Sequence, residues 1–275
     1  RVFVKREDLI HPEICGNKFW KLLYYVRDYL ASGPKDPLLI TFGGAYSNHI
    51  AAVAALGREI EADTIGIIRG EELQGRWQQN ATLTKASANG MRFRFVRRED
   101  YRHKDELAGR LSAEFPDALI IPEGGTNERA VEGVRFMLDE RTEDFDHLCC
   151  AVGTGGTVAG ISKFAAEGQK VHGFKVVRDD SLERKIEALS DRRNVSLIDA
   201  SFGGYGKFGA EEADAVDNLS RQLGIPLEPV YTGKMFRKLF ELIDEGYFLA
   251  GSKILAFHTG GMQGAGREFR PVTIP

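Results

Sequence analysis

Short apolar runs alternate with helical repeats along the whole chain. Apolar residues cluster at 38–42, 64–68, 93–96, 118–121, 148–152, 171–177, 195–198 and 254–257, and a strand-like run, Val2-Phe3-Val4, opens the sequence. Each is the length of a buried strand. Between them apolar positions recur with a period near 3.6, as in Phe19-Leu22-Leu23-Val26-Leu30 and Met235-Leu239-Leu242-Ile243. That period predicts helices, the first over 19–30. Glycines that follow helical runs read as helix stops: Gly33 before Pro34, then Gly57, Gly90, Gly168, Gly224 and Gly246. Strands alternating with helices predict an α/β fold with parallel sheets.

In open parallel sheets ligands bind beyond the carboxyl ends of the strands. The loops after strands are therefore read first. Three are rich in glycine: Gly43-Gly44-Ala45-Tyr46-Ser47-Asn48-His49, Gly153-Thr154-Gly155-Gly156-Thr157, and Thr259-Gly260-Gly261-Met262. The second follows the strand at 148–152 and opens a helix. Its glycines admit an anion close to backbone N–H groups, its threonines add hydroxyls, and the helix N-terminus adds positive potential. This is the pattern of a phosphate cradle; the competing reading is a tight turn that binds nothing. No Gly-Lys-Ser/Thr follows, which argues against a nucleoside triphosphate. Val158 stands where a dinucleotide fingerprint begun at Gly153 needs its last glycine.

In the first loop Ser47 is a natural N-cap for the run at 50–56. Capping does not account for Gly43-Gly44 or for three polar residues together. N–H groups and hydroxyls at Ser47, Asn48 and His49 suit a substrate carboxylate, and Asn48 suits a phenolic oxygen. A further candidate is Gly16-Asn17-Lys18 at the start of the first helix. An unpaired lysine in a first turn opposes the helix dipole, which lowers its pKa and favours a nucleophilic amine. Lys21, one turn later, reads as an ordinary solvated lysine.

Composition narrows the classes. A chain of 275 residues suits one or two domains, and 43% hydrophobic with 28% charged residues is a globular balance. A net charge of -3 without any Lys/Arg-rich run gives no field that draws nucleic acid or an anionic membrane. The longest apolar stretches, such as 51–56, are too short to cross a bilayer. Cys15, Cys149 and Cys150 are too few and odd in number for a disulfide framework. The adjacent pair reads as small hydrophobes in a buried strand. No His/Cys cluster has metal-ligand spacing, so no metal is expected. These points favour a reducing, cytoplasmic compartment. No signal-peptide pattern is visible, and the strand-like opening leaves room for a longer natural N-terminus.

Taken in order, Lys5-Arg6-Glu7-Asp8, Gly16-Asn17-Lys18, Gly43-Gly44 with Ser47-Asn48-His49, Gly153-Thr154-Gly155-Gly156-Thr157 with Ala159-Gly160, and Pro229-Val230-Tyr231-Thr232-Gly233-Lys234 resemble a known family. It is that of the fold-type II enzymes that use pyridoxal 5′-phosphate (PLP). The branch most similar is D-cysteine desulfhydrase and 1-aminocyclopropane-1-carboxylate (ACC) deaminase. The resemblance runs along almost the whole chain.

It implies two open, twisted, mostly parallel α/β sheet domains with PLP in the cleft between them. The smaller, inserted domain is expected at 35–145 and the larger over 1–34 and 146–275, with homodimers as the assembly. It implies Lys18 as the PLP Schiff-base lysine, Ser47, Asn48 and His49 as the substrate-carboxylate loop, and Asn48 beside the PLP hydroxyl. Gly153, Thr154, Gly155, Gly156 and Thr157 hold the phosphate, Thr232 faces the pyridine nitrogen, and Tyr231 lies over the cofactor. Tyr205 matches the family's second active-site tyrosine, although the following Lys207-Phe208 depart from the pattern. Lys18, Ser47, Tyr231 and Tyr205 form the implied catalytic set.

ACC deaminases carry Glu after the tyrosine and tend to carry Gln at the position of His49. Thr232 and His49 therefore tilt the reading toward desulfhydrase chemistry, while Tyr46 replaces a Gln usual in both groups. A hydroxyl does not hold the pyridine nitrogen protonated as a carboxylate does, and so moderates the cofactor as an electron sink. The expected reaction is α,β-elimination from a small amino acid such as D-cysteine, giving pyruvate, ammonia and sulfide. The alternatives are ACC deamination, amino-acid racemisation, or PLP binding without turnover.

Overall fold

In a computed structural model of the chain, residues 1–14, 16–202 and 209–261 are described, the side chain of Ala210 aside. β1 (Val2–Arg6) leads through one 3-10 turn to α1 (Asn17–Ala31). Then come β2 (Leu38–Gly43), α2 (Asn48–Glu59), β3 (Asp63–Arg69), α3 (Ala81–Ala88), β4 (Arg92–Val96), α4 (Arg98–Arg102), α5 (Lys104–Glu114), β5 (Leu119–Ile121) and α6 (Glu128–Val134). The described chain closes with β6 (His147–Val152), α7 (Gly156–Phe164), β7 (Lys170–Lys175), α8 (Leu182–Ser190), β8 (Val195–Asp199), α9 (Ala210–Leu223), α10 (Thr232–Asp244) and β9 (Ile254–His258). Every run expected as a strand is one, with small differences at the ends.

The strands form two sheets, one in the order β1-β9-β6-β7-β8 and one in the order β4-β3-β2-β5. All pairings are parallel, as the alternating pattern predicts. Parallel strands are covered on both faces, and β2 shows how. Leu39 joins a core with Ile50 of α2 and Leu83 of α3, whereas Ile40 and Phe42 point the other way, to Tyr101 of α4 and Leu111 of α5. The adjacent cysteines obey the same alternation. Cys149 packs toward Met235 and Phe236 of α10, and Cys150 toward Val158 and Ile161 of α7, both fully buried.

Five of the glycine stops take a positive φ just beyond a helix, as expected: Gly33, Gly90, Gly168, Gly224 and Gly246. Gly57 does not. α2 continues through it to Glu59, and a Cβ at Gly57 would overlap Thr64 Cγ2 at the start of β3. That glycine allows a close approach of helix and strand and ends nothing.

We propose residues 35–145 as a smaller unit inserted into a larger one. The four-stranded sheet lies wholly inside this range. Near its end the chain turns back, and Val131, Val134 and Met137 join the core of the five-stranded sheet beside Val158 and Ile161. Among the described residues no helix is long and apolar enough to cross a membrane.

Candidate cofactor and active site

Because the strands of each sheet run parallel, their carboxyl ends share one edge of that sheet. The loops there, with the start of α1, line a cavity of about 970 Å³. That size suits a cofactor with a small substrate. Its wall includes Lys18, Ser47, Asn48, His49, Gly153, Thr154, Gly155, Gly156, Thr157 and Tyr231, which brings most of the expected site into one place.

Lys18 lies in the first turn of α1, half-buried, its Nζ 3.3 Å from Asn17 Oδ1. A glycine precedes α1 for a structural reason: a Cβ at Gly16, where φ is 68°, would overlap the carbonyl of Thr259 in the loop after β9. Asn17 N–H donates to that same carbonyl at 3.3 Å, and Asn17 Nδ2 donates to Thr157 Oγ1 at 2.6 Å. The lysine turn is thus tied directly to the glycine loop.

Lys21 is not the solvated lysine expected. It is 1% exposed and lines the same cavity. A spacing of three puts it on the same helix face as Lys18, and that face is turned inward. Lys21 Nζ donates to Gly124 O at 2.5 Å and to Thr126 Oγ1 at 2.8 Å. Among the described residues no carboxylate pairs with it. Burial, then the nearby Lys18 charge, hold its pKa well below the ordinary lysine value.

The glycine loop is shaped around this ammonium. Gly155 caps α7 in the left-handed conformation, φ 88°. A Cβ on Gly156 would come within 3.0 Å of Lys21 Nζ and 2.8 Å of Thr126 Oγ1. Thr154 and Thr126 share a hydrogen bond of 2.6 Å, and Gly124, at φ 66°, leaves no room for a Cβ beside Thr154. Sequence reasoning passed over this Gly124-Gly125-Thr126 loop. The signal was present: a glycine pair in the loop that follows the strand at 118–121, as in the other three loops.

On the opposite wall Ser47 caps α2, accepting from Ile50 N at 3.4 Å. Asn48 Oδ1 and His49 Nδ1 are buried acceptors with no hydrogen-bond partner among the described residues. The tautomer of His49 follows from its neighbours. Thr41 Oγ1 donates its proton to Ile121 O at 2.9 Å, so at 2.7 Å it accepts from His49 Nε2–H. Nδ1 is left as a bare acceptor. Burial first, then Lys18 and Lys21, push the His49 pKa well down, which keeps the ring neutral.

Tyr231 packs its ring on Gly153, whose missing Cβ would sit 3.1 Å from Tyr231 Cε1. Thr232 lies behind it, fully buried and outside the cavity wall. Its hydroxyl donates to Glu228 Oε1 at 3.2 Å. The same carboxyl accepts the backbone N–H groups of Val230, Tyr231 and Thr232 at 2.6–2.8 Å. Burial pushes Glu228 up to about 7 against these donors. Tyr205 lies outside the described residues.

The family profile described as "Pyridoxal-phosphate dependent enzyme" matches residues 1–260. The chain belongs to this family. A Pyrococcus horikoshii protein with the provisional name 1-aminocyclopropane-1-carboxylate deaminase is 32% identical over 286 residues, covering 96% of this chain and 85% of its own. An Arabidopsis thaliana bifunctional D-cysteine desulfhydrase/1-aminocyclopropane-1-carboxylate deaminase is 29% identical, over 96% of this chain and 73% of its own. The crystal structure of an ACC deaminase homologue superposes with a TM-score of 0.82 at 30% identity, covering 96% of this chain and 85% of that one.

The residues present fit pyridoxal phosphate. A buried ammonium with no carboxylate partner, facing a glycine loop at a helix N-terminus, matches a phosphate dianion. Lys18 provides an amine in the same cavity, and Asn48 and His49 provide polar atoms without partners among the described residues.

Proposed function

We propose that this PLP-dependent enzyme is a lyase that eliminates the β-substituent of D-cysteine or a similar small amino acid, releasing pyruvate and ammonia. One observation carries the reading. Two lysines one turn apart on α1 face a single cavity, one half-buried, the other fully buried against the glycine cradle.

In this reading Lys21, Thr126 and the loop Gly153, Thr154, Gly155, Gly156 and Thr157 hold the cofactor phosphate. Asn48 sits by the phenolic oxygen, and Tyr231 covers the ring. The resemblance assigns Thr232 to the pyridine nitrogen, but its hydroxyl is given to Glu228 outside the cavity wall, so it reaches the ring only if that bond is exchanged; Tyr205 is the second active-site tyrosine of this reading. Ser47, Asn48 and His49 receive the substrate carboxylate. When bound, the cofactor supplies a sink for the electron pair left at Cα. Lys18 takes the Cα proton. The Cβ–S bond of cysteine then breaks, with its electrons leaving on sulfur. Water hydrolyses the resulting enamine, so that D-cysteine and water give pyruvate, ammonia and hydrogen sulfide. A homodimer in the cytoplasm completes the proposal. The assembly comes from the family resemblance, and the compartment is supported by two buried thiols, Cys149 and Cys150.

The names of the relatives favour ACC deamination as a second reading. One panel separates the two. The cofactor-loaded enzyme is given D-cysteine, β-chloroalanine and ACC, and the 2-oxo acids are measured. We expect pyruvate from the first two and little 2-oxobutanoate from ACC. ACC turnover above that of D-cysteine overturns the desulfhydrase assignment. Lys18→Ala should lose turnover on all three while circular dichroism stays unchanged, because a first-turn lysine contributes little to stability.

A further inference from the structure

The cavity extends past the proposed cofactor and carboxylate positions to a charged outer wall. Most charges there are already matched. Lys104 Nζ lies 3.0 Å from Glu123 Oε2, and the other oxygen of Glu123 accepts the Tyr101 hydroxyl at 3.0 Å. Across the cleft Lys185 holds Asp179 at 2.9 Å. Asp105, exposed, lies in the first turn of α5, where the helix dipole favours a carboxylate.

Arg69 is different. It ends β3, is half-buried, and lines the cavity. Its guanidinium carbon stands 5.6 Å from the ring centroid of Tyr101, a cation over an aromatic face. Among the described residues no carboxylate or carbonyl accepts from any of its N–H groups. Glu123, which also lines the cavity, is engaged by Lys104 and by Tyr101 itself. Arg69 is half-buried at the cavity wall, its N–H groups face open space, and an anion in the cavity would meet them. The strand register places it. Gly43 pairs with Ile68, so Arg69 stands beside Gly44, at the root of the loop that carries Ser47, Asn48 and His49. It is one strand away from the proposed carboxylate loop.

We propose that Arg69 is a second anion subsite of this cavity, which extends the range of the proposed lyase from neutral amino acids such as D-cysteine to those whose side chain ends in a carboxylate, sulfonate or phosphate. The proposal rests on the reading that the cavity holds an amino acid. The planar fork of arginine fits each of these anions through paired hydrogen bonds. Tyr101 acts as the backstop that orients the fork, and the Glu123 bond fixes the Tyr101 ring. Arg178, exposed on the facing wall, adds a second positive charge to the approach.

Calorimetric titration of the cofactor-loaded enzyme tests this with both enantiomers of four probes: O-phosphoserine against serine, and aspartate against asparagine. Wild type should bind the acidic member of each pair at least about tenfold more tightly, the range expected of a charged, partly desolvated hydrogen bond. Arg69→Gln should collapse that ratio toward one, and Arg69→Lys should restore part of it. The ratio is read within one protein, so a general loss of folded material does not imitate the result. Equal weakening of acidic and neutral ligands by Arg69→Gln would place Arg69 on the α-carboxylate and sink the subsite. Wild-type indifference to the acidic group, with β-chloroalanine still turned over, sinks the subsite and spares the lyase reading. Failure to bind any amino acid with PLP in place sinks both.

Discussion

Lys21 carries more of the site than its sequence neighbourhood suggests. Its ammonium is buried against one carbonyl and one hydroxyl, neither of which neutralises it. Such a charge is unfavourable in the free protein and favourable once a phosphate arrives. Lys21→Met keeps the apolar stem and deletes the charge. We expect the PLP dissociation constant to rise about 10- to 100-fold, the loss of one charge-assisted hydrogen bond of roughly 1.5–3 kcal/mol. The thermal midpoint of the cofactor-free protein should stay level or rise. Fluorescence titration with PLP and a melting curve check the two halves, and an unchanged affinity removes Lys21 from the phosphate site. The spacing Lys18 to Lys21 was visible in the sequence as one helix face. Which face turned inward was not, because that depends on what packs against α1.

The elements that hold the site meet at glycines. α6 lies between α1 and α7, which carry the lysines and the glycine cradle. A Cβ at Gly133 of α6 would overlap the carbonyl oxygen of Trp20 in α1, and one at Gly160 of α7 would overlap the Val134 side chain of α6. The obstacle at Gly133 is backbone, which cannot rotate away. Gly133→Ala should therefore destabilise by roughly 1–3 kcal/mol, the usual cost of overpacking, despite the better helix propensity of alanine. Urea unfolding measures it, and a gain in stability would show that the helices slide apart freely. Gly57 teaches the same lesson. Period and punctuation located nearly every element, but a glycine inside a helix looks like a stop until its neighbour in space is known.

For the molecule as a whole, two buried groups set opposing pH dependences. His147 of β6 and His172 of β7 share a hydrogen bond of 2.9 Å on one face of the five-stranded sheet, and His172 packs on Tyr247 and Phe248. Burial, then His147, lower the His172 pKa from 6.5 to about 4. The unfolded chain takes up that proton first, so this stabilisation is complete above about 6.5 and is lost as pH falls toward about 4, in all about 3 kcal/mol. Glu228 runs the other way. Its carboxyl titrates near 4.5 unfolded and about 7 folded, so its contribution is present below 4.5 and is lost as pH rises through about 7. The two partly cancel across the shared window. His172→Phe keeps a ring against Tyr247 and Phe248 while removing the titration. Its unfolding free energy, measured in urea at both ends of the window, should fall less with acid than that of wild type, by about 3 kcal/mol. Identical acid dependence in the two proteins would show that His172 is not held neutral by the fold.

The sequence by itself determined the α/β class, the strands, the parallel pairing and the loops that line the cavity. These depend on local period, on glycine placement and on motif order, all of which are written along the chain. Lys18, the Ser47 loop, the Gly153 loop and Tyr231 were named from those signals and line one cavity. Only the tertiary structure decided the burial of Lys21, the place of Gly124 and Thr126, the bond from Thr232 to Glu228, and the position of Arg69 over Tyr101. Each of those depends on which of several neighbours lies closest after two sheets have been brought together. Contacts made across dozens of residues leave no period in the sequence. They arise from packing, which decides whether a lysine meets water or a carbonyl, and whether an arginine meets a carboxylate or an open cavity.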